Sequence, residues 1–125
     1  MKTFFRERQK SFRYAFSGIA FVLKTQKNAW IHLFFTVLVI TVGLLLKLSN
    51  LQWTALILCF GLVWLTEFIN TAIEMVVDLV SPEFHPLARK CKDVAAGAVL
   101  IAAICSIFIG LLILAPALYQ AIFIH

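Results

Sequence analysis

Apolar residues recur along the chain in two rhythms. Between residues 4 and 24, Phe5, Phe12, Phe16, Ile19 and Leu23 return at steps of three, four and seven, with Arg6, Arg8, Lys10 and Arg13 between them. That period gives a helix one greasy face and one basic face, the pattern of a helix lying in a membrane interface. Further on the apolar runs are nearly unbroken: 29–46 ("AWIHLFFTVLVITVGLLL"), 51–80 and 94–114. Each approaches or exceeds the roughly 20 residues that a bilayer-crossing helix needs. Trp30 suits an interfacial belt at the start of the first span. "KLSN" at 47–50 reads as a short turn, "SPEFHP" at 81–86 as a helix break carrying two prolines, and "LARKCKD" as a short basic segment leading into the last span, which is expected to end before Pro116.

The second run ends in "EFINTAIEMVVD", where Glu67, Asn70, Glu74 and Asp78 interrupt the apolar pattern. At about 100° per residue, with Glu67 at zero, Asn70 falls near −60°, Glu74 near −20° and Asp78 near +20°. One face about 80° wide therefore holds all four. A rise of about 1.5 Å per residue puts Glu67 some 24 Å and Glu74 some 35 Å from Leu51. Against a hydrocarbon core of about 30 Å, these carboxylates lie where headgroups meet cytosolic solutes. Polar side chains on a membrane helix cost several kcal/mol facing lipid, so the stripe is expected to face a bundle interior rather than merely emerge into water. Two carboxylates on one face can divide labour, one taking a proton and the other holding a divalent cation.

Composition fixes the solvent. The 125 residues are 62% hydrophobic, with mean hydropathy +0.97. A soluble domain this short leaves roughly a third or more of its unfolded surface exposed, too much for such a composition. The chain is expected to be one all-α integral membrane domain, 1–125: an N-terminal amphipathic surface helix and three transmembrane helices. The net charge of +5 then points to anionic headgroups and not to a nucleic-acid partner. Ten of the eleven Lys and Arg fall before the first span or in 81–93, leaving only Lys47 on the other side. By the positive-inside rule the N-terminus and the 81–93 segment are cytoplasmic. No short apolar core with a small-residue cleavage site follows the basic N-terminal stretch, so no cleavable signal peptide is expected. Cys59, Cys91 and Cys105 have no metal-binding or disulfide spacing and read as packing residues.

A second polar cluster, Arg89 to Asp93, opens the last span. Lys90 and Lys92 are placed to neutralise phosphate, and Asp93 to cap a helix starting at Val94 or to reach a metal. Antiparallel packing of the second and third spans brings this cluster beside Glu74 and Asp78, which makes a MgATP site plausible there. Ala95, Ala98 and Ala102 offer a small-residue face for close helix approach. His32 and His85 read as hydrogen-bonded structural residues. There is no GxxxxGK[ST] and no GxGxxG, so any ATP site must be built from helix ends.

The joint pattern "ExxNTAIExxVD", with "KD" starting fourteen residues after Asp78 and "AAGAVL" following, resembles the prokaryotic diacylglycerol kinase/undecaprenol kinase family. The likeness runs from "FRYAFSGI" at 12–19 through "SPEFHPLARKCKDVAAGAVL" at 81–100, and its wording is more similar to the undecaprenol-kinase-like branch. The resemblance implies a homotrimer of three-span protomers in the bacterial inner (cytoplasmic) membrane, with the active site on the cytoplasmic side. It implies transfer of the ATP γ-phosphate to a lipid alcohol, with Mg²⁺ as cofactor. By position, Glu67 is implied as catalytic base, Glu74 as metal ligand and Asn70 as support for the lipid hydroxyl or the base. Tyr14, Glu74, Glu83, Lys92 and Asp93 fall at nucleotide-binding positions.

One position departs from the family's pattern. A second metal-binding Glu usually precedes the first span, and here "TQKN" puts Gln26 in its place. Mg²⁺ favours carboxylates over a neutral carbonyl oxygen, so weaker Mg²⁺ affinity or a catalytically weak family member is expected. The rival class is a small proton-coupled membrane transporter. Such a protein needs its carboxylate mid-span and no basic cluster beside it, whereas these carboxylates gather at one end.

Overall fold

The computed structural model describes residues 2–123. Four helices follow one another, α1 (Lys2–Thr25), α2 (Lys27–Leu45), α3 (Asn50–Val80) and α4 (Pro86–Phe123). The last three are long and apolar enough to cross a membrane, so the expected all-helical, three-span architecture is what the chain adopts. Its helices satisfy their backbone groups internally, the condition a bilayer imposes.

Only Gln26, in an extended conformation, separates α1 from α2. The elbow is packed on the inside by Val22 and Ala29, both buried. Phe4, Phe5, Phe12 and Phe16 of α1 are all exposed, and the Arg8 guanidinium stands 5.1 Å from the centre of the Phe4 ring. The helix thus presents a mixed aromatic and basic surface, as an interfacial helix should.

The turn between α2 and α3 is built from two matched caps. Lys47 takes a left-handed conformation with φ 52°, while Leu48 N–H donates to the Gly43 carbonyl and Lys47 N–H to the Leu44 carbonyl. This is a Schellman closure, with lysine at the position where glycine is usual. Two residues on, the Ser49 hydroxyl accepts from Gln52 N–H and the Gln52 side chain accepts from Ser49 N–H, a reciprocal capping box that starts α3. A side chain at Gly43 would press on Trp53, since a Cβ there would lie 2.9 Å from its ring.

The last helix differs from the expected 94–114. It begins at Pro86, because proline has no N–H to lose in a first turn and its fixed φ suits a helix. His85 precedes it and its Nδ1 accepts from Leu87 N–H. "LARKCKD" is therefore helix and not a loop, and Asp93 lies within α4 instead of capping it. The helix also runs through Pro116 to Phe123. Proline there withdraws one donor from the Leu112 carbonyl, a loss that membrane helices tolerate through local adjustment.

The principal packing is α3 on α4. Leu56, Cys59 and Val63 of α3 are buried, as are Ala95, Val99 and Ala102 of α4. The small-residue face is 95, 99 and 102, not 95, 98 and 102, since Ala98 is exposed. Ser106 Oγ donates to the Ala102 carbonyl at 2.8 Å and lies 3.4 Å from the Cys59 carbonyl, joining the two helices. Large apolar side chains such as Leu44, Leu58, Leu100 and Leu112 point outward, an inversion that suits lipid and not water.

Candidate active site

The buried face of α3 continues past Val63 into polar residues. Glu67, Asn70 and Thr71 follow at helical spacing, and Glu67 is 1% exposed. The Thr71 hydroxyl returns to the Glu67 carbonyl at 2.9 Å, so Thr71 takes care of itself within the helix. Glu67 has no such provision. Its Oε2 is buried and has no hydrogen-bond partner. A buried carboxylate oxygen without a partner is costly, and structures keep such groups where chemistry or binding uses them.

One turn further on, Asn70 Nδ2 donates to Glu74 Oε1 at 3.1 Å, while Asn70 Oδ1 is buried and unpartnered. Glu74 is half-buried and Asp78 exposed. The stripe expected from the sequence is thus real, and it is graded in depth: sealed at Glu67, open at Asp78. Asp78 is met from α4 by Lys92, whose Nζ donates to Oδ1 at 2.8 Å. Antiparallel packing of α3 and α4 brings these two clusters together. Around the connecting turn a cleft of about 400 Å³ is lined by Asp78, Glu83, His85, Arg89, Lys92 and Asp93 among others. Glu83, Lys92 and Asp93 therefore share one concavity. The turn is steadied by Ser81 Oγ donating to the Glu83 carbonyl.

Two of the expected site residues stand apart. Tyr14 is exposed on α1, whose main contact is with α2. Gln26 is the α1–α2 junction, half-buried, and its side chain caps nothing. Neither is hydrogen-bonded to the α3 stripe among the described residues.

The structure does not give His32 the satisfied, hydrogen-bonded role expected from sequence. Its Nε2 is buried and unbonded, 3.7 Å from Glu67 Oε2. This separation is too long for a direct hydrogen bond. The ring packs against α3. It meets the Trp64 ring edge-on with 6.4 Å between centres, Thr36 Oγ1 donates to the His32 carbonyl, and Trp64 Nε1 donates to Thr36 Oγ1. The available signal was an ionisable residue inside the 29–46 run, a position that itself suggests function.

Among the described residues no three His, Cys, Asp or Glu side chains converge on a point, so the chain as described holds no complete protein cage for a cation. It does hold the Glu74 carboxylate, half-buried on the α3 stripe, with Asn70 Nδ2 donating to its Oε1. Mg²⁺ characteristically takes one or two carboxylates, water and the phosphates of a substrate, and this donor set fits that mode.

A bundle of helices long enough to span, with a sealed carboxylate on its interior face and a charged cleft at the helix ends, is the form of an integral membrane protein that handles polar groups at the bilayer boundary. The chain belongs to the prokaryotic diacylglycerol kinase family, which matches residues 13–114. It is 47% identical over 109 residues to a diacylglycerol kinase of Synechocystis, covering 86% of this chain and 62% of that protein. It is 42% identical over 109 residues to the undecaprenol kinase of Bacillus subtilis, covering 87% and 89%. With the diacylglycerol kinase of Escherichia coli it shares 36% over 70 residues, covering 56% and 57%. These names carry two different lipid acceptors, so the likeness fixes the family and leaves the acceptor open.

Proposed function

We propose that this protein is an integral-membrane lipid kinase that moves the γ-phosphoryl group of ATP to the hydroxyl of a membrane lipid, either diacylglycerol or undecaprenol. The observation that carries the reading is Glu67: a sealed, unpartnered carboxylate inside a helix long enough to span the bilayer, in a chain of this family. A lipid alcohol stays in the bilayer, so its proton acceptor must sit at the hydrocarbon edge. Phosphoryl transfer asks the protein for alignment and charge neutralisation more than for covalent chemistry.

In this mechanism Glu67 accepts the hydroxyl proton as the alcohol oxygen attacks the γ-phosphorus. Glu74, about two turns toward the cytosol, would hold Mg²⁺, which when bound would neutralise and align the triphosphate, and Asn70, between Glu67 and Glu74, would support the lipid hydroxyl or the base. Lys92 is anchored by Asp78 through one of its three donors, which leaves the others for phosphate oxygens. The cleft with Glu83, Arg89 and Asp93 would receive the rest of the nucleotide, and Tyr14 would reach it from α1. A homotrimer accounts for the separation of Gln26 and Tyr14 from the α3 stripe, because a neighbouring copy would supply what one protomer leaves out. The charge bias of the connecting segments supports a cytoplasmic placement of the N-terminus and the site in the bacterial inner membrane.

The test is mass spectrometry of the lipids after incubating purified protein with MgATP and a mixture of diacylglycerol and undecaprenol. A phosphorylated lipid identifies the acceptor. No phosphorylated product, together with pH-driven dye efflux from vesicles containing the protein, would replace the kinase with a proton-coupled transporter.

A further inference from the structure

We propose that His32 holds the acceptor hydroxyl: the alcohol oxygen sits between His32 Nε2 and Glu67 Oε2, accepting from the first and donating to the second. This assignment rests on the lipid-kinase reading and adds to it a substrate-binding residue from α2. Both atoms are buried, and neither has a hydrogen-bond partner. They are 3.7 Å apart, a base over which two legs of about 2.8 Å, the usual length for such bonds, close on a single oxygen. One group must donate and the other accept. A carboxylate only accepts, and an imidazole with its proton on Nε2 donates. A hydroxyl does both, so a lipid alcohol completes the pair, whereas an ether or an ester oxygen fills half of it.

The surroundings fit the rest of such a molecule. His32 also lines an apolar cavity of about 450 Å³ between α2, α3 and α4, with Phe35, Leu56, Phe60, Val63 and Leu111 among its walls. His32 is the member of the pair that lines this cavity, so a chain lying there would bring a hydroxyl at its end to His32, whose Nε2 is 3.7 Å from Glu67 Oε2. With one lone pair of the alcohol oxygen occupied by His32, the other is directed to the γ-phosphorus. The new O–P bond forms as the bond from the γ-phosphorus to the bridging oxygen breaks. ADP leaves with that electron pair, and the hydroxyl proton passes to Glu67. Trp64, itself hydrogen-bonded to Thr36, packs edge-on against the His32 ring, a contact that helps to orient the donor toward the nucleophile.

The experiment compares wild type, His32→Leu and His32→Gln, each purified as the full chain, with MgATP and dioleoylglycerol or undecaprenol. Leucine removes the donor, and glutamine keeps an N–H at similar reach. His32→Leu should lower kcat/KM for the alcohol roughly tenfold or more, the effect of one lost hydrogen bond in a dry site, with the KM for ATP unchanged. His32→Gln should recover most of the loss. An unaltered kcat/KM for the alcohol in a folded His32→Leu protein overturns the assignment while leaving the kinase intact. So does an equal fall in the parameters for both substrates that glutamine does not repair. A wild type that phosphorylates neither lipid overturns the kinase reading, and this assignment with it. A measurement on wild type alone covers the case of a variant that fails to fold. The methyl ether of the alcohol retains an oxygen for His32 and should inhibit more tightly than the deoxy analogue, by up to about tenfold; equal inhibition by the two overturns the assignment.

Discussion

Replacing Glu67 by methionine should make the protein more stable and inactive at once. The side chain is 1% exposed and its Oε2 has no partner. Leaving a buried polar group unsatisfied costs about 1–3 kcal/mol, and more when it is charged. Methionine has the same unbranched reach and no such group, and its apolar end adds burial at about 25 cal/mol per Å². The nearest polar group on a neighbouring helix, His32 Nε2, is 3.7 Å away and makes no hydrogen bond to the carboxylate, so little is lost on that side. The net expectation for Glu67→Met is a gain of about 1–3 kcal/mol. Denaturant unfolding of both proteins in matched micelles, followed by circular dichroism, reads the difference as a shift in midpoint at constant slope. Stability gained where activity is lost is the pattern of a residue retained for function. A loss of 2 kcal/mol or so in Glu67→Met would show instead that the carboxylate holds the bundle together, and the reading of Glu67 as chemical machinery would fail.

Other consequences reach different parts of the fold. Lys47→Gly should stabilise the α2–α3 turn by about 1 kcal/mol, because φ 52° strains any residue with a Cβ; thermal unfolding checks it, and a destabilised variant would contradict the Schellman closure. Gly43→Ala should cost about 1–3 kcal/mol by overpacking against Trp53, with a change in tryptophan emission; unaltered stability and emission would show that the α2–α3 contact is loose. Gln26→Glu should lower the Mg²⁺ concentration giving half-maximal phosphoryl transfer, since a carboxylate suits Mg²⁺ better than an amide. An unchanged Mg²⁺ dependence would remove residue 26 from the metal site.

The parts of the fold legible from sequence are those the bilayer dictates. Runs such as 29–46 and 51–80 have no other stable use, and α2 and α3 end within two residues of those limits. The start of α4 is the exception: the charges of "RKCKD" suggest a loop, while Pro86 directly after His85 is the stronger cue for a helix start. The capping box at Ser49 and Gln52 is equally legible in "SNLQ". Within the site, the stripe of Glu67, Asn70, Glu74 and Asp78 follows from a period of 3.6 alone, because all four lie on one helix. His32 does not follow from any period. Its partner is on another helix, and only the packing of α2 on α3 brings the two together. The same limit applies to the small residues of α4, where a rotation of one position decides between Ala98 and Val99.

Transfer of labelled phosphate from ATP into extracted lipid, measured for purified wild type and Glu67→Gln with nucleotide binding recorded on the same samples, bears most directly on the role of the sealed carboxylate. With Glu67 as the base, wild type labels a lipid alcohol, and the amide variant binds ATP as before but labels little or nothing. Lipid labelling at the wild-type rate by Glu67→Gln would mean that the proton leaves by another route and that Glu67 is not the base.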